Sequence, residues 1–275
     1  MQLHYLGTAA AEGLPAIFCT CAVCERARRA GGRNIRTRPQ ALIDGKILLD
    51  FGPDSYLHAL RYGLDLSTIR TCLITHVHED HLTPTELYFR APWLCHLKTE
   101  STLTVYGSEE VGEFLSARPD GRLDDSDRVI FRAVQPYATF TAEGYQITPL
   151  PAVHGTWQPL VYVISHEGKT LLYAHDTSSF RGETWDWLAQ SGLHFDLLSL
   201  DCTEGTRKID YEGHMNIERD IAMRRRMLSL GLIDEKTRVV ANHFSHNGGV
   251  TYDDLKDPAV NGGLTIAYDG MIVEI

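Results

Sequence analysis

Thr75-His76-Val77-His78-Glu79-Asp80-His81 places three imidazoles and two carboxylates in one short segment, directly after the apolar run Cys72-Leu73-Ile74. Histidine and aspartate are the ligand types that hold zinc, manganese or iron on hydrolytic enzymes. Position matters as much as composition. An apolar run that ends in polar ligands reads as a buried strand delivering side chains at its C-terminal edge, where open α/β sheets keep their sites.

The same grammar recurs along the chain. Ile147-Thr148-Pro149-Leu150-Pro151-Ala152-Val153 leads into His154, and its two prolines predict a broken or edge strand. Thr170-Leu171-Leu172-Tyr173-Ala174 delivers His175-Asp176, and Arg238-Val239-Val240-Ala241-Asn242 delivers His243. One such histidine alone is usually a core or surface residue. Four apolar segments ending this way point to a shared metal centre. His175 precedes Asp176 on an extended segment, so it points to the opposite side and is not expected to be a ligand.

Length and composition bound the rest. The 275 residues, 43% of them apolar, suffice for one large domain or two small ones with a substantial core. A net charge of −10 disfavours an extended basic surface, so nucleic acid is not the expected partner. A small anionic substrate stays open, because bound divalent cations would dominate the local field. No apolar run of about twenty residues exists, and the N-terminus lacks a basic segment followed by an apolar one. Neither a membrane span nor a signal peptide is read, and a cytoplasmic enzyme is expected. Cys19, Cys21 and Cys24 are half of the six cysteines, and their spacing suits metal ligation in a reducing compartment better than a disulfide scaffold.

Short β-type runs alternate with helical stretches. Ala41-Leu42-Ile43, then Asp44-Gly45, then Lys46-Ile47-Leu48-Leu49 predicts a hairpin, and Thr265-Ile266-Ala267-Tyr268, Asp269-Gly270, Met271-Ile272-Val273 predicts another. Thr83-Pro84-Thr85-Glu86 carries a capping residue, a first-turn proline and a glutamate able to reach back, so a helix starts there. A second helix is expected from Asn216 to Leu230, with Arg224-Arg225-Arg226 on its solvated face. Strands in both halves with helices between them suggest two β-rich layers enclosed by helices.

The His-x-His-x-Asp-His segment, followed by a later His, a later Asp and a last His, resembles the metallo-β-lactamase superfamily over nearly the whole chain. The resemblance implies an α/β fold, the αββα metallo-β-lactamase sandwich, as a single domain over residues 1–275. Position by position it implies His76, His78 and His154 around one metal ion and Asp80, His81 and His243 around the other, with Asp176 bridging both. That division leaves each ion an open position, as catalysis requires. Asp50 matches the aspartate that supports the metal loop in this superfamily.

Leu6-Gly7-Thr8 followed by Cys19-Thr20-Cys21-Ala22-Val23-Cys24 is similar to the phosphodiesterase branch typified by PhnP. There three cysteines join a histidine three residues after the last active-site His, here His246, around a structural zinc. Such a closed Cys₃His shell would pin the N-terminal loop beside the site. Gly213-His214-Met215 resembles a segment of phosphodiesterases in the superfamily, and Asp201 stands where ribonuclease Z carries a glutamate that orients this histidine. The resemblance therefore implies a metal-dependent phosphodiesterase opening a small ribose cyclic phosphate, with two divalent ions (Mn or Zn, or Fe), His214 as general acid and Asp201 as its partner. Arg33, Arg36 and Arg38 are read as solvated surface or as a grip on a second phosphate. The alternatives are a ribonuclease Z-like tRNA endonuclease, a β-lactam or thioester hydrolase, and a non-hydrolytic cofactor-biosynthesis protein of the same fold. Substrate, metal identity and oligomeric state, a homodimer included, stay open at the level of sequence.

Overall fold

Alternation along the strands sorts the apolar residues into layers. In the run Ala41-Leu42-Ile43 the outer two side chains join one buried cluster and Leu42 joins another; Ile47 and Leu49 likewise separate from Leu48. In the second half Leu171 and Tyr173 face the first of these clusters, whereas Leu172 and Ala174 face a third. Period-two alternation with both faces apolar means strands covered on both sides. The shared cluster lies between two sheets, and the other two lie under helices.

The computed structural model describes residues 1–117 and 128–275. The first sheet is built from β1 (Gln2–Gly7), β2 (Gln40–Ile43), β3 (Ile47–Leu49), β4 (Thr71–Leu73), β5 (Leu103–Gly107) and β6 (Val129–Ala133). The second takes β7 (Phe140–Ala142), β8 (Tyr145–Pro151), β9 (Leu160–His166), β10 (Lys169–Ala174), β11 (Leu197–Asp201), β12 (Arg238–Asn242) and β13 (Thr265–Ile266), while β14 (Ile272–Glu274) returns to the first sheet. The orders are β14-β1-β2-β3-β4-β5-β6 and β13-β12-β11-β10-β9-β8-β7. Each sheet has an antiparallel half and a parallel half: β3 to β6 run parallel in one, β10 to β13 in the other. The helices Gly182–Gln190 and Ile217–Ser229 cover the outer face of the second sheet through Trp185, Leu188, Met223 and Met227. This is the expected α/β sandwich with helices outside.

Register places the site. Leu49 pairs with Leu73 and Ala174 with Leu200, so the C-terminal ends of the parallel strands come out at one edge. Asp50, the heptad after β4, Asp176, Asp201 and His243 all lie at those ends.

Four local expectations changed. The C-terminal hairpin does not form: β13 pairs with β12 and β14 pairs with β1, so the Asp269-Gly270 turn carries the chain from one sheet to the other. Asp269 is fixed by the Thr8 hydroxyl and the Thr37 backbone N–H and not by strand pairing across the turn. The proline-containing segment is an unbroken strand, but β7 pairs only with Tyr145 to Ile147. Pro149 and Pro151 fall where only β9 pairs with β8 as a strand, and the Pro149 carbonyl accepts the Tyr137 N–H on the other side, so the missing proline N–H is tolerated. The helix Pro84–Tyr88 has Thr83 as its N-cap, yet no side-chain cap forms: the Thr83 hydroxyl donates to Glu79 O at 3.4 Å, and Phe51 O takes the Thr83 N–H at 2.7 Å that Glu86 would have reached. Arg36 is not surface: it is 2% exposed, with its guanidinium over the Phe244 ring and bonded to Thr8 Oγ1 and the Ala267 carbonyl. Arg33 is exposed as expected, with its guanidinium over the Tyr268 ring, and the half-buried Arg38 pairs with Asp54. The hairpin β2–β3 and the helix Ile217–Ser229, capped by the Asn216 side chain on the Arg219 N–H, match expectation. Arg225 and Arg226 are exposed as expected, although the Arg226 guanidinium also covers Trp185.

Candidate metal centre

Past the C-terminal ends of β3, β10 and β12, Asp50 (φ 64°), Asp176 (φ 50°) and His243 (φ 64°) adopt left-handed backbone conformations, as the hairpin-turn residues Asp44, Glu143 and Glu167 do elsewhere. Non-glycine residues occupy that region at a cost, and functional sites are where such strain concentrates. Here the reversed backbone turns each side chain inward. Gly52 adds a close approach: a Cβ there would lie 1.9 Å from the Asp80 carbonyl oxygen, so any side chain would push the heptad away.

The donor atoms fall into two groups. His76 Nε2 and His154 Nε2 lie 2.9 and 3.0 Å from His78 Nδ1. Asp80, His81 and His243 form the second group, with His81 Nε2 3.2 Å and His243 Nε2 3.6 Å from Asp80 Oδ2. Asp176 stands between them. Its Oδ2 is 2.7 Å from His81 Nε2 and 3.0 Å from His243 Nε2, while its Oδ1 is 3.6 Å from His154 Nε2.

The imidazoles are oriented from behind. His76 Nδ1 meets Thr75 Oγ1 at 3.0 Å, His81 Nδ1 meets Asp50 at 2.8 Å, His154 Nδ1 meets the Gly213 carbonyl at 3.0 Å and His243 Nδ1 meets Thr203 Oγ1 at 2.8 Å. A partner on Nδ1 fixes the ring and leaves Nε2 for the centre, the arrangement that metal-binding histidines show. His78 turns the other way and offers Nδ1. Asp50 also accepts the Thr75 N–H and hydroxyl, at 2.8 and 2.9 Å, so one carboxylate braces the start of the heptad and its last histidine.

These residues fit divalent cations. His81 Nε2, His243 Nε2 and Asp176 Oδ2 are buried without a hydrogen-bond partner, and all three point into the centre. Burial works against ionisation of Asp80 and Asp176, yet the neighbouring imidazoles hold both carboxyls well below the usual range. Both are therefore anionic acceptors facing unpartnered nitrogens.

A second cluster lies at the N-terminal loop. His246 Nδ1 is 3.5 Å from both Cys19 Sγ and Cys21 Sγ, and Cys24 completes the group. Tetrahedral zinc with ordinary Zn–S and Zn–N lengths requires an S–N edge of about 3.6 Å. Cys21 is the N-cap of the helix Ala22–Ala30, and its thiol is pulled down to about 6, chiefly by the Cys24 backbone N–H. Burial pushes Cys24 up to about 12. The donor set suits a closed zinc shell.

His214 and Asp201 lie beside the first group. His214 Nδ1 is 3.1 Å from Asp201 Oδ2, and Nε2 has no partner among the described residues. Burial disfavours the His214 cation, but Asp201 first, then Asp176 and Glu204, together outweigh it and raise the pKa to about 9. His175 stays out of the centre: it is fully buried, bonds Ser199 through Nε2 at 2.8 Å, and burial lowers its pKa to about 3. Sequence reasoning did not find Thr75, Thr203 and the Gly213 carbonyl. Hydroxyls and carbonyls one bond behind a ligand leave no spacing pattern of their own.

Residues 46–244 match the beta-lactamase superfamily domain. The chain belongs to that superfamily. No curated protein matches it by sequence. Among solved structures, a new diphosphatase from the PhnP family is 23% identical over all of this chain and 97% of the other, with a TM-score of 0.77. Zinc-bound PqqB from Methylobacterium extorquens is 21% identical over the full length of both chains, TM-score 0.73. The short form of human tRNase Z is 17% identical over all of this chain and 99% of that one, TM-score 0.66. These likenesses establish the fold. Superfamily membership and the His/Asp centre together make the chain a metal-dependent hydrolase of metallo-β-lactamase fold.

Proposed function

We propose that this hydrolase is a two-metal phosphodiesterase that opens a small ribose cyclic phosphate, such as phosphoribosyl cyclic phosphate, to a monoester. His76, His78 and His154 would hold one ion, Asp80, His81 and His243 the other, and Asp176 both. Divalent cations there would supply an acidified water and neutralise charge on the phosphate oxygens.

The observation that carries the reading is His214. It stands outside the His76–His78–His154 and Asp80–His81–His243 groups and sits on Asp201, whose carboxylate favours its protonated form. Thioester hydrolysis expels a thiolate and gives no role to such an acid. A ribose alkoxide leaves poorly, and a positioned proton donor contributes about two to four orders of magnitude. Asp201 fixes Nδ1–H, so Nε2–H is free to protonate the departing oxygen as the P–O bond breaks. Net charge of −10 and no basic arm speak against a tRNA substrate.

The test compares leaving groups. His214→Ala should lose on the order of a hundredfold or more in turnover on a ribose cyclic phosphate, and far less on a p-nitrophenyl phosphodiester, whose phenolate needs no proton. Equal losses on both would remove the acid assignment. Faster turnover of a phosphoanhydride, the bond class named for the PhnP-family diphosphatase, would replace the ester by an anhydride.

A further inference from the structure

We propose that Arg219, with Ser178, is a positioning residue that aims His214; the proposal rests on the phosphodiesterase reading above. Residues 202–216 form an irregular connection between β11 and the helix Ile217–Ser229, and such backbone is held only by what its polar groups reach. One guanidinium gathers three of its carbonyls. Arg219 Nη1 donates to Tyr211 O at 2.8 Å and to His214 O at 3.0 Å, and Nη2 donates to Ile209 O at 3.2 Å. Arg219 itself is fixed, because its backbone N–H donates to the Asn216 cap on the first helical turn.

Ser178 grips the same peptide from the other side. Its hydroxyl donates to His214 O at 3.1 Å and accepts the Gly213 N–H at 2.7 Å. Gly213 has φ of 123°, which a side chain would strain, and its carbonyl accepts from His154 Nδ1. The backbone that carries the acid is thus bracketed between a metal-centre histidine, a serine two residues past Asp176, and Arg219. Holding the His214 carbonyl fixes the backbone from which the imidazole reaches Asp201.

A lysine would not substitute. Its ammonium is a single point, whereas the two nitrogens of the fork reach carbonyls five residues apart in sequence (Ile209 and His214). Removing the guanidinium frees three carbonyls on a partly exposed loop where water can take them, so the loss falls on aim more than on folding.

The experiment uses the metal-loaded protein for kinetics and the metal-free protein for NMR. Arg219→Ala should lower kcat on a ribose cyclic phosphate by about tenfold to a hundredfold, as small misplacements do, with little change in KM. On the p-nitrophenyl ester the loss should stay within a few-fold. Guanidinium ion at millimolar concentration should restore part of the lost turnover, and Arg219→Lys should remain impaired. In a His214→Ala background Arg219→Ala should add almost nothing, since the group it aims is gone. In the metal-free protein Arg219→Ala should shift or broaden the His214 ring resonances, and Ser178→Ala should do so more weakly. Equal losses on both esters, or additive losses in the His214→Ala background, overturn the proposal. If His214→Ala itself shows no leaving-group dependence, the acid reading falls, and unchanged His214 resonances in Arg219→Ala then overturn the positioning role separately.

Discussion

Asp201 Oδ2 accepts the backbone N–H of Asp176 at 2.9 Å, the same oxygen that faces His214 Nδ1 at 3.1 Å. The other oxygen accepts the N–H groups of Thr203 and Met215, at 3.0 and 2.9 Å, and Thr203 Oγ1 also donates to Oδ2. One buried carboxylate therefore sets the turn at Asp176, the Thr203 hydroxyl behind His243, and the acid. Asp201→Asn must turn an NH₂ toward N–H donors whichever way the amide lies. It should destabilise the fold by about 2 kcal/mol, the cost of a buried polar mismatch, and also weaken turnover. Chemical denaturation of wild type and variant checks the first half. An unchanged midpoint would reduce Asp201 to an orienter of His214 alone.

The two oxygens of Asp176 face different donor groups: Oδ2 is 2.7 Å from His81 Nε2 and Oδ1 is 3.6 Å from His154 Nε2. Asp176→Ala should abolish turnover and release at least one active-site ion, because the remaining donors of each group lose their shared anion. Elemental analysis after desalting gives the count. Full retention of both ions would mean that each triad binds independently and that Asp176 has another role.

Much of this was readable in the chain because strands with both faces covered are plain apolar runs, and a His or Asp at the end of one stands out. β4, β10 and β12 announced themselves so, and the spacing of Cys19, Cys21 and Cys24 did likewise. What the sequence hid was pairing. Asp269-Gly270 looks identical whether it closes a hairpin or passes the chain between sheets, since turn chemistry is local and the choice of partner strand is not. Pro149 and Pro151 misled for a related reason: their tolerance depends on where β7 stops. Arg36 reads as surface by residue type, and only the fold reveals that Phe244 and Ala267 enclose it.

The cysteine cluster makes a prediction about stability. Cys21→Ser removes the exposed, most acidic thiol of the four-donor group, and zinc held there contributes its binding energy to folding. The melting temperature should fall by about 5–10 °C, corresponding to 2–3 kcal/mol in a chain of this size, while kcat of the folded fraction changes little. Calorimetry with zinc analysis distinguishes the outcomes. An unchanged melting temperature together with an absence of tightly held zinc in the wild type would remove the site.

His58 predicts the acid limb of stability. It is 1% exposed, its Nδ1–H donates to Gln40 Oε1 at 2.7 Å, and Nε2 of the neutral ring accepts from the Thr37 hydroxyl, also at 2.7 Å. Gln40 has its amide fixed by bonds to the Asp50 carbonyl and Ser55, so its oxygen must face the imidazole. Burial lowers the His58 pKa from 6.5 to about 4, with Asp54 opposing and Arg61 adding to the drop. In the unfolded chain the ring takes up a proton below about pH 6.5, and in the folded chain only near pH 4, so between those values the unfolded state binds more protons. Stability contributed by neutral His58 is complete at pH 7 and lost as pH falls through that window. The loss totals about 3 kcal/mol, with a slope approaching 1.4 kcal/mol per pH unit. His58→Gln, which can still donate to Gln40, should flatten that slope by up to one proton's worth. Urea denaturation of the metal-free protein at intervals from pH 7 to 4 measures it, with the metal-free state excluding acid release of the active-site ions. A pH dependence identical in wild type and His58→Gln would show that His58 is not the group that titrates.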